Sequence, residues 1–366
     1  MKISINQNEL QNALSIVSKG VSTRSTLPIL SGILLKAYND QLILQATDLE
    51  LSIQYSVNTL IEEEGKIVIS GKLFSEIIKS LPDAAVSLEI IDDSMVITCG
   101  ASSFSLKTLN PDDFPSFPVV EAHQEIDISF SQFSSMIKKV AHVVSKDESR
   151  MILTGVLVSL EEQHLKMVAT DSYRLAIIES DINKPQHDSF EAVISGSFLQ
   201  DIASLPKTDD TISLALSENQ IVVTYQNTVF INRRIEGSFP NYKQLLPDNY
   251  STKVITSTNN LIAAVKRISL LNAASSPIRL DINNDLQTVQ LLAVAQDIGS
   301  AQETLSCKIE GENTEIAFNY AYILDGLSVM STDSVILEVQ NSMKPGILKS
   351  EDNEKFLYLI MPVRIA

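Results

Sequence analysis

The feature that most constrains this 366-residue chain is a sequence repeat of long period. Three short blocks of the first third return downstream, all displaced by 123 positions or within two residues of that figure. The matching pairs are Leu30-Ser31-Gly32-Ile33 with Leu153-Thr154-Gly155-Val156, Thr47-Asp48 with Thr170-Asp171, and Val68-Ile69-Ser70-Gly71 with Val193-Ile194-Ser195-Gly196. Solenoid repeats are about 20 to 50 residues long, so this period predicts tandem domains.

A fainter third copy begins near Ile255. In it, residues 261–271 take the place of residues 133–143, and residues 318–330 take the place of the block that starts at Ile194. A domain usually contains about 100 to 200 residues, so the length accommodates three domains. We predict three copies, at residues 1–121, 122–248 and 249–366.

Helical and strand patterns alternate within each copy. Two-residue turn signals such as Asn39-Asp40 and Asp92-Asp93 separate runs in which apolar and polar residues alternate, which is typical of antiparallel hairpins with one exposed face. The pattern predicts an α+β fold, with two helices in each copy packed on antiparallel sheets. Apolar residues recur at helical spacing in residues 8–19, 72–81, 131–145, 197–205, 258–272 and 319–330.

Composition excludes several classes of protein. No window approaches the roughly 18 uninterrupted apolar residues of a membrane span, and the N-terminus lacks the apolar core of a secretion signal, so we expect a cytoplasmic protein with no membrane contact. Cys99 and Cys307 have no CxxC or histidine spacing around them, which favours reduced thiols. We predict no metal site and no cofactor.

No catalytic motif is present, and we predict no catalytic residue. The nearest candidates are the aspartates of the repeated Thr-Asp unit, where a turn-capping role explains Asp in both copies. An enzyme that uses Asp48, Asp171 and the nearby Arg174 is one alternative. A protein-interaction scaffold is another.

Net charge is −17, which argues against a nucleic-acid binder unless the basic residues are clustered. The six predicted helices contain seven basic and four acidic residues, so the rest of the chain has a net charge of −20. On helix 131–145 the basic residues Lys138 and Lys139 share a face opposite the apolar one, and Lys266 and Arg267 do so on helix 258–272. Equivalent basic helices predict an electropositive surface suited to a polyanion, read without regard to base sequence.

Taken together, these residues resemble the bacterial sliding clamps, the β subunits of DNA polymerase III. The resemblance covers the whole chain. Its most specific segments, in order, are Arg24-Ser25-Thr26-Leu27-Pro28-Ile29-Leu30, Ala169-Thr170-Asp171-Ser172-Tyr173-Arg174-Leu175-Ala176, Gly237-Ser238-Phe239-Pro240-Asn241-Tyr242, Phe318-Asn319 with Tyr322-Ile323-Leu324, and Leu359-Ile360-Met361-Pro362-Val363-Arg364.

The resemblance implies a non-catalytic processivity factor. Two three-domain chains would join head to tail as a homodimer and close as a six-domain ring around double-stranded DNA, which the scaffold alternative would never encircle. The residues expected to contact DNA are Arg24, Lys138, Lys139, Lys266, Arg267 and Arg279. The segment Ser195-Gly196-Ser197 has no basic residue where relatives usually have one. Implied partners are the DNA polymerase III α subunit, the clamp loader, repair polymerases, mismatch-repair proteins and ligase, all at the nucleoid in the cytoplasm.

The resemblance also implies a pocket between the second and third domains, which would bind the anchoring Leu and Phe of a short extended peptide. Tyr173 replaces a histidine of many relatives, and Ile365-Ala366 extend past the usual end. The matching pocket residues are Leu153, Thr170, Arg174, Leu175, Pro240, Leu245, Asn319, Tyr322, Met343, Pro345, Met361, Pro362, Val363 and Arg364.

Ring closure is expected to join the first domain of one chain to the third domain of the other. Ser102 and Ser103 stand where some relatives have arginines, so we expect few salt bridges between chains and more apolar burial. The residues expected at this interface are Lys72, Phe104, Leu106, Leu270 and Leu271.

Overall fold

The computed structural model of the chain describes residues 1–22, 26–121, 124–182, 189–271, 277–295, 298–352 and 355–364. It contains the six helices that the sequence predicts, with shorter C-terminal ends. They are α1 Gln7–Val17, α2 Gly71–Ser80, α3 Phe130–Val140, α4 Gly196–Ala203, α5 Thr258–Ile268 and α6 Tyr320–Ser328. The helices α1, α3 and α5 each run on into a three-residue 3-10 turn, at Ser18–Gly20, Ala141–Val143 and Ser269–Leu271.

The strands follow the predicted hairpin pattern. The first copy contains β1 Lys2–Asn6, β2 Gly32–Tyr38, β3 Gln41–Thr47, β4 Leu51–Asn58, β5 Leu60–Glu63, β6 Gly65–Ser70, β7 Ala85–Ile91, β8 Ser94–Cys99 and β9 Ser102–Leu109. The second contains β10 Gln124–Ser129, β11 Gly155–Glu161, β12 His164–Thr170, β13 Arg174–Asp181, β14 Phe190–Ser195, β15 Thr211–Leu216, β16 Gln220–Tyr225 and β17 Thr228–Arg233. The third contains β18 Thr252–Ser257, β19 Pro277–Asn283, β20 Thr288–Ala295, β21 Gly299–Ser306, β22 Lys308–Gly311, β23 Thr314–Asn319, β24 Ser334–Val339, β25 Gly346–Ser350 and β26 Phe356–Ile360.

The two-residue turn that the sequence predicts at Asn39-Asp40 is confirmed. Asn39 and Asp40 both have positive φ, at 49° and 57°, and Tyr38 pairs directly with Gln41 across them. Two consecutive left-handed residues define the two-residue turn whose twist suits a β-hairpin, and Asn and Asp tolerate that conformation best after glycine.

Two of the repeated motifs pack on each other. A Cβ added to Gly32 would come within 2.5 Å of the Val68 side chain, and one added to Gly155 within 2.4 Å of Val193. A side chain at either position would have to push the valine aside, so glycine is the residue that fits. The Gly and the Val of the two motifs therefore recur together because β2 lies against β6, and β11 against β14, at this spacing.

Equivalent helices bury equivalent positions. Helix α1 buries Leu10, Ala13, Leu14 and Val17, and α5 buries Leu261, Ala264, Val265 and Ile268. Both sets follow the i, i+3, i+4, i+7 spacing of a single helix face. Helix α1 packs on α2, β3 and β4, whereas α5 packs on α6, β20 and β21.

The chain forms two compact units rather than one for each predicted domain. The first unit is Met1–Gln132 with Ser204–Arg234, and the second is Phe133–Ala203 with Ile235–Ala366. The middle copy is divided because its strands join two different sheets: β17 pairs with β4, and β13 pairs with β26. The boundaries at residues 121 and 248 stay a prediction.

The first unit contains a 13-stranded sheet in the order β10-β15-β16-β17-β4-β3-β2-β6-β9-β8-β7-β1-β5. The second contains a nine-stranded sheet, β14-β11-β12-β13-β26-β25-β24-β18-β22, and a four-stranded sheet, β21-β20-β19-β23. Every strand pair recorded in these sheets is antiparallel, as the alternating sequence pattern predicts. Among the described residues, no helix has the length and apolar character needed to cross a bilayer.

Candidate functional site

A rigid turn between β12 and β13 carries the central residues of the predicted pocket. The Asp171 carboxylate accepts hydrogen bonds from the backbone N–H groups of Tyr173 at 2.9 Å and Arg174 at 3.0 Å. Ser172, between Asp171 and Tyr173, has φ of 80°. The turn-capping role that the sequence suggests for the repeated Thr-Asp unit is therefore confirmed for Asp171.

The first copy builds the same turn. Asp48 accepts from the backbone N–H groups of Glu50 at 3.0 Å and Leu51 at 2.7 Å, and Leu49 has φ of 79°. Both aspartates hold backbone groups in place, which accounts for the recurrence of Asp in the two copies.

Arg174 is the hub of a half-buried polar network. Its Nε donates to the second Asp171 oxygen at 3.0 Å, and its terminal nitrogens donate to Asp325, to the Tyr358 hydroxyl at 3.3 Å and to the His142 carbonyl at 3.4 Å. The Arg174 side chain is only 10% exposed. Because buried charges require paired hydrogen-bonding partners, this network fixes the guanidinium in one orientation.

The network also sets the charge state of its members. Burial alone lowers the pKa of Arg174, but Tyr358 and Asp171 outweigh it, so the pKa of the guanidinium is raised above its ordinary value. Burial raises the pKa of Tyr358, which stays a neutral hydroxyl and donates to the Tyr322 carbonyl at 2.9 Å. Two residues from α6, Asp325 and Tyr322, are thereby tied to β13 and β26.

An aromatic rim lies beside this network. The Tyr322 ring stacks on Tyr173 with centroids 6.3 Å apart, and the Arg174 guanidinium lies 4.6 Å from the Tyr322 centroid. The Tyr173 side chain is 59% exposed. The Met361 N–H donates to the Tyr173 carbonyl at 2.8 Å, which fixes the start of the C-terminal segment against the rim.

An apolar cluster forms the floor next to the rim. Its buried members other than Tyr242 project from one face of the nine-stranded sheet, because directly opposed strand residues share a face. The segment after β17 covers this face, and Met361 packs at its edge. The buried members are Leu157, Val168, Leu175, Ile177, Val193, Tyr242 and Leu359, and the partly buried ones are Ile152, Ile235, Phe239, Leu246, Leu357 and Met361.

All fourteen residues predicted for the pocket lie in the second unit, and the structure links several of them directly. Thr170 donates from its hydroxyl to the Arg174 carbonyl at 2.7 Å. The Asn319 side chain caps α6 by accepting from the Ala321 N–H at 2.9 Å, and the Val363 N–H donates to the Ala317 carbonyl at 2.8 Å.

The remaining pocket residues differ in exposure. Leu153 and Leu175 are buried and can only support the floor. The accessible residues are Pro240, Leu245, Met343 and Arg364, and the half-buried ones are Pro345, Met361, Pro362 and Val363. Sequence reasoning did not identify Asp325 and Tyr358, which lie more than 150 residues from Arg174 and have no local signal.

Some of the residues predicted to contact DNA are already paired with acidic side chains of the same chain. Lys138 and Lys266 are exposed on α3 and α5, and neither pairs with an acidic side chain in the described parts of the chain. Arg267 forms a bidentate ion pair with Glu303 of β21, at 2.5 and 2.9 Å. Arg279 pairs with Glu315 of β23 at 3.1 Å, and Arg24 lies outside the described residues.

The exposed position expected for Lys139 is wrong. Its side chain is 7% exposed, and its Nζ lies 5.7 Å from the centroid of the Phe356 ring. Consecutive helix residues are about 100° apart, so Lys139 turns towards the sheet while Lys138 faces out. Helix α3 also ends at Val140, so the continuous helix expected to residue 145 does not form and His142 is half-buried.

Four of the five residues predicted for ring closure lie at open strand edges, Phe104 and Leu106 on β9 and Leu270 and Leu271 beside β21, whereas Lys72 lies on α2. In the first unit, β9 pairs with β8 along residues 102–107 but reaches β6 only at Thr108 and Leu109. In the second unit, β21 is an edge strand and pairs only with β20 in the described sheet. Lys72 and Phe104 are exposed, Leu270 is 84% exposed, and Leu106 and Leu271 are half-buried.

Family models match almost the whole chain. The N-terminal domain of the DNA polymerase III beta subunit matches residues 1–118, its central domain residues 127–241, and its C-terminal domain residues 243–364. Beta sliding clamps of Synechocystis and Bacillus subtilis are 31% and 30% identical, with full coverage of both chains.

Solved structures agree with the sequence comparisons. A DNA polymerase sliding clamp from Bacillus subtilis has a TM-score of 0.95 at 30% identity, and a sliding clamp from Pseudomonas aeruginosa bound to griselimycin has 0.94 at 28% identity. Each match covers 100% of both chains. The chain therefore belongs to the beta subunit family of DNA polymerase III, the DNA sliding clamps.

Proposed function

We propose that two copies of this chain join head to tail and close as a ring around duplex DNA. The observation that carries this proposal is the pair of open strand edges, on β9 and on β21, each beside exposed apolar side chains. An open edge pairs readily with a strand from another chain. Joining β9 of one chain to β21 of its partner pairs the open backbone N–H and C=O groups of both edges. Two such joints complete a closed circle.

Exposed Phe104 and Leu270 supply the apolar part of this joint. Serines at positions 102 and 103 bring no charge to it. The interface is therefore held by backbone hydrogen bonds and apolar burial, neither of which salt screens.

Retention on DNA is topological, and a weak positive field suits that task. Lys138 and Lys266 are exposed cations of equivalent helices with no acidic partner among the described residues, whereas Arg267 and Arg279 are neutralised locally by Glu303 and Glu315. Each added phosphate contact strengthens binding and its salt dependence. Few free cations permit binding without base specificity and rapid sliding.

The rim and floor around Arg174 form the partner site in this proposal. Tyr173, Tyr322 and Met361 enclose the entrance and the cluster around Leu175 forms the floor, which suits apolar anchors of an extended peptide. The partners are the polymerase α subunit, the clamp loader and repair and ligation proteins, bound in turn at this one site. The protein itself is non-catalytic and acts in the cytoplasm, at the nucleoid.

The decisive experiment compares DNA topologies. The purified protein is loaded onto a nicked circular duplex and onto the same duplex after linearisation, and its retention is followed by gel filtration. A ring remains on the circle and leaves the linear molecule through its ends. Equal retention on both forms would contradict encirclement, as would a solution mass equal to one 40.3 kDa chain.

A further inference from the structure

A cavity of about 650 Å³ in the second unit has no role in the function proposed above. It lies between the segment that follows Leu245 and the sheet strands β24, β25 and β26. Leu246, Asp248 and Tyr250 line its wall, Glu338 and Ile347 line its floor, and Pro345 lies at its margin. Ligand pockets in proteins have volumes of about 300 to 1,000 Å³, so this cavity is large enough to hold side chains of a bound segment.

The floor of this cavity is continuous with the floor of the partner site. Glu338 opposes Ile347, Ile347 opposes Leu359, and Leu359 opposes Leu175, across four neighbouring strands. Directly opposed residues project from the same face of a sheet. Leu359 and Leu175 belong to the apolar cluster of the partner site, so the cavity is where that sheet face continues beyond the covering segment.

The same two regions share wall and margin residues. Leu246 packs against the apolar cluster and also lines the cavity. Pro345 is one of the residues predicted for the peptide pocket, and it too lines the cavity. The partner site and the cavity are therefore neighbours on one sheet face, and a peptide that extends beyond the partner site can reach the cavity.

The lining indicates which side chains fit. Ile347 is buried and offers an apolar base. Glu338 is 11% exposed and already paired with Lys349 at 2.6 Å, so the floor holds a neutralised ion pair. Asp248 is exposed at the wall and leaves the lining with a net negative charge. An apolar side chain suits the base, and a basic side chain suits the wall.

We propose that this cavity binds the segment of a partner peptide that flanks its anchoring residues, through one apolar and one basic side chain. The proposal rests on the function proposed above, because it extends the same peptide beyond its anchors. The flanking segment then adds affinity and distinguishes partners that share the same anchors.

The test uses fluorescent synthetic peptides and the full chain. A pentapeptide with Leu and Phe anchors is compared with versions that carry Ala-Ile-Ala-Lys at either end, by fluorescence anisotropy. We expect one extended peptide to bind about 5- to 10-fold more tightly than the pentapeptide. Tyr250→Ala and Asp248→Lys should each reduce that gain and leave pentapeptide binding unchanged, whereas Tyr38→Ala, at another exposed tyrosine, should leave both unchanged.

Two results would overturn the proposal in distinguishable ways. If the pentapeptide binds but neither extension adds affinity, or if the gain survives both Tyr250→Ala and Asp248→Lys, the cavity is not a binding site and the partner site stands. If the pentapeptide does not bind at all, the partner site is wrong, and the cavity proposal that extends it is wrong with it.

Discussion

The guanidinium of Arg174 lies 4.6 Å from the centroid of the Tyr322 ring. Arg174 begins β13 of the middle copy, and Tyr322 lies on α6 of the third copy. A cation over an aromatic face is attracted by the ring's negative π surface. This contact therefore fixes Tyr322, a rim residue of the proposed partner site, to the polar network of Arg174.

Replacing Arg174 should destabilise the protein and weaken peptide binding together. Arg174→Ala leaves the mostly buried Asp171 and the more exposed Asp325 without their cation, and a buried acceptor left without its partner costs about 1 to 3 kcal/mol. Thermal unfolding followed by circular dichroism should show a lower Tm. Arg150→Ala removes an exposed arginine with the same i,i+3 aspartate pairing and should change Tm little. An equal effect of the two variants would contradict the role assigned to the buried network.

Shortening Met361 should weaken partner binding without unfolding the chain. Its side chain packs at the edge of the apolar cluster and its N–H holds the Tyr173 carbonyl. Met361→Ala removes contact area but keeps the backbone bond, so we expect about a 10-fold weaker Kd for the anchoring pentapeptide. Fluorescence anisotropy measures this, with Met151→Ala as an exposed methionine control. Unchanged affinity in the Met361 variant would remove this residue from the site.

Charge reversal on the helices should impair DNA retention. The double variant Lys138→Glu, Lys266→Glu replaces the exposed cations of α3 and α5 that have no acidic partner among the described residues, so fewer phosphates are neutralised. We expect less protein loaded on nicked circular DNA, with the deficit shrinking as salt rises. Lys36→Glu, on strand β2, should load normally. Normal loading of the double variant at low salt would argue against contact through these helices.

An acidic residue at the open edge of β9 should separate the dimer. Phe104→Glu places a charge where apolar burial is expected, so the solution mass should fall to one chain of 40.3 kDa in light scattering. Leu60→Glu, on β5, is the exposed apolar control and should keep twice that mass. The wild-type mass should not depend on salt concentration. Dissociation in high salt would show that ion pairs hold the interface.

Stability should fall at mildly acidic pH because of His142. Burial and the neighbouring Arg174 lower the pKa of His142 below its ordinary value of 6.5. The unfolded chain then binds this proton more readily than the folded one, so stability rises with pH between the lowered pKa and 6.5. His142→Gln should flatten that part of a Tm-versus-pH curve, whereas His164→Gln, at an exposed histidine, should leave the slope of this segment in place. A His142 variant with the full wild-type slope would assign the effect to another group.

Local features of the chain were predictable because local rules decide them. The Asn39-Asp40 turn, the Asp171 cap and the buried face of α5 each depend on residues a few positions apart. The Asp cap and the buried helix face also recur in another copy, at Asp48 and on α1. Turn and helix propensities act over that range, so the sequence alone is sufficient. The helix ends were less well predicted, since α1, α3 and α5 each change to a 3-10 turn.

The sequence by itself determined the three copies, the α+β pattern, the family and the candidate residues of the pocket. Only the tertiary structure decided which basic side chains are exposed and which are paired with acidic ones. Lys139 is buried although its neighbour is exposed, Arg267 is neutralised by Glu303, and Arg174 gains Asp325 from more than 150 residues away. Strand pairing also divided the middle copy between two units. These outcomes depend on which distant segments meet, and electrostatic pairing follows distance in space rather than distance along the chain.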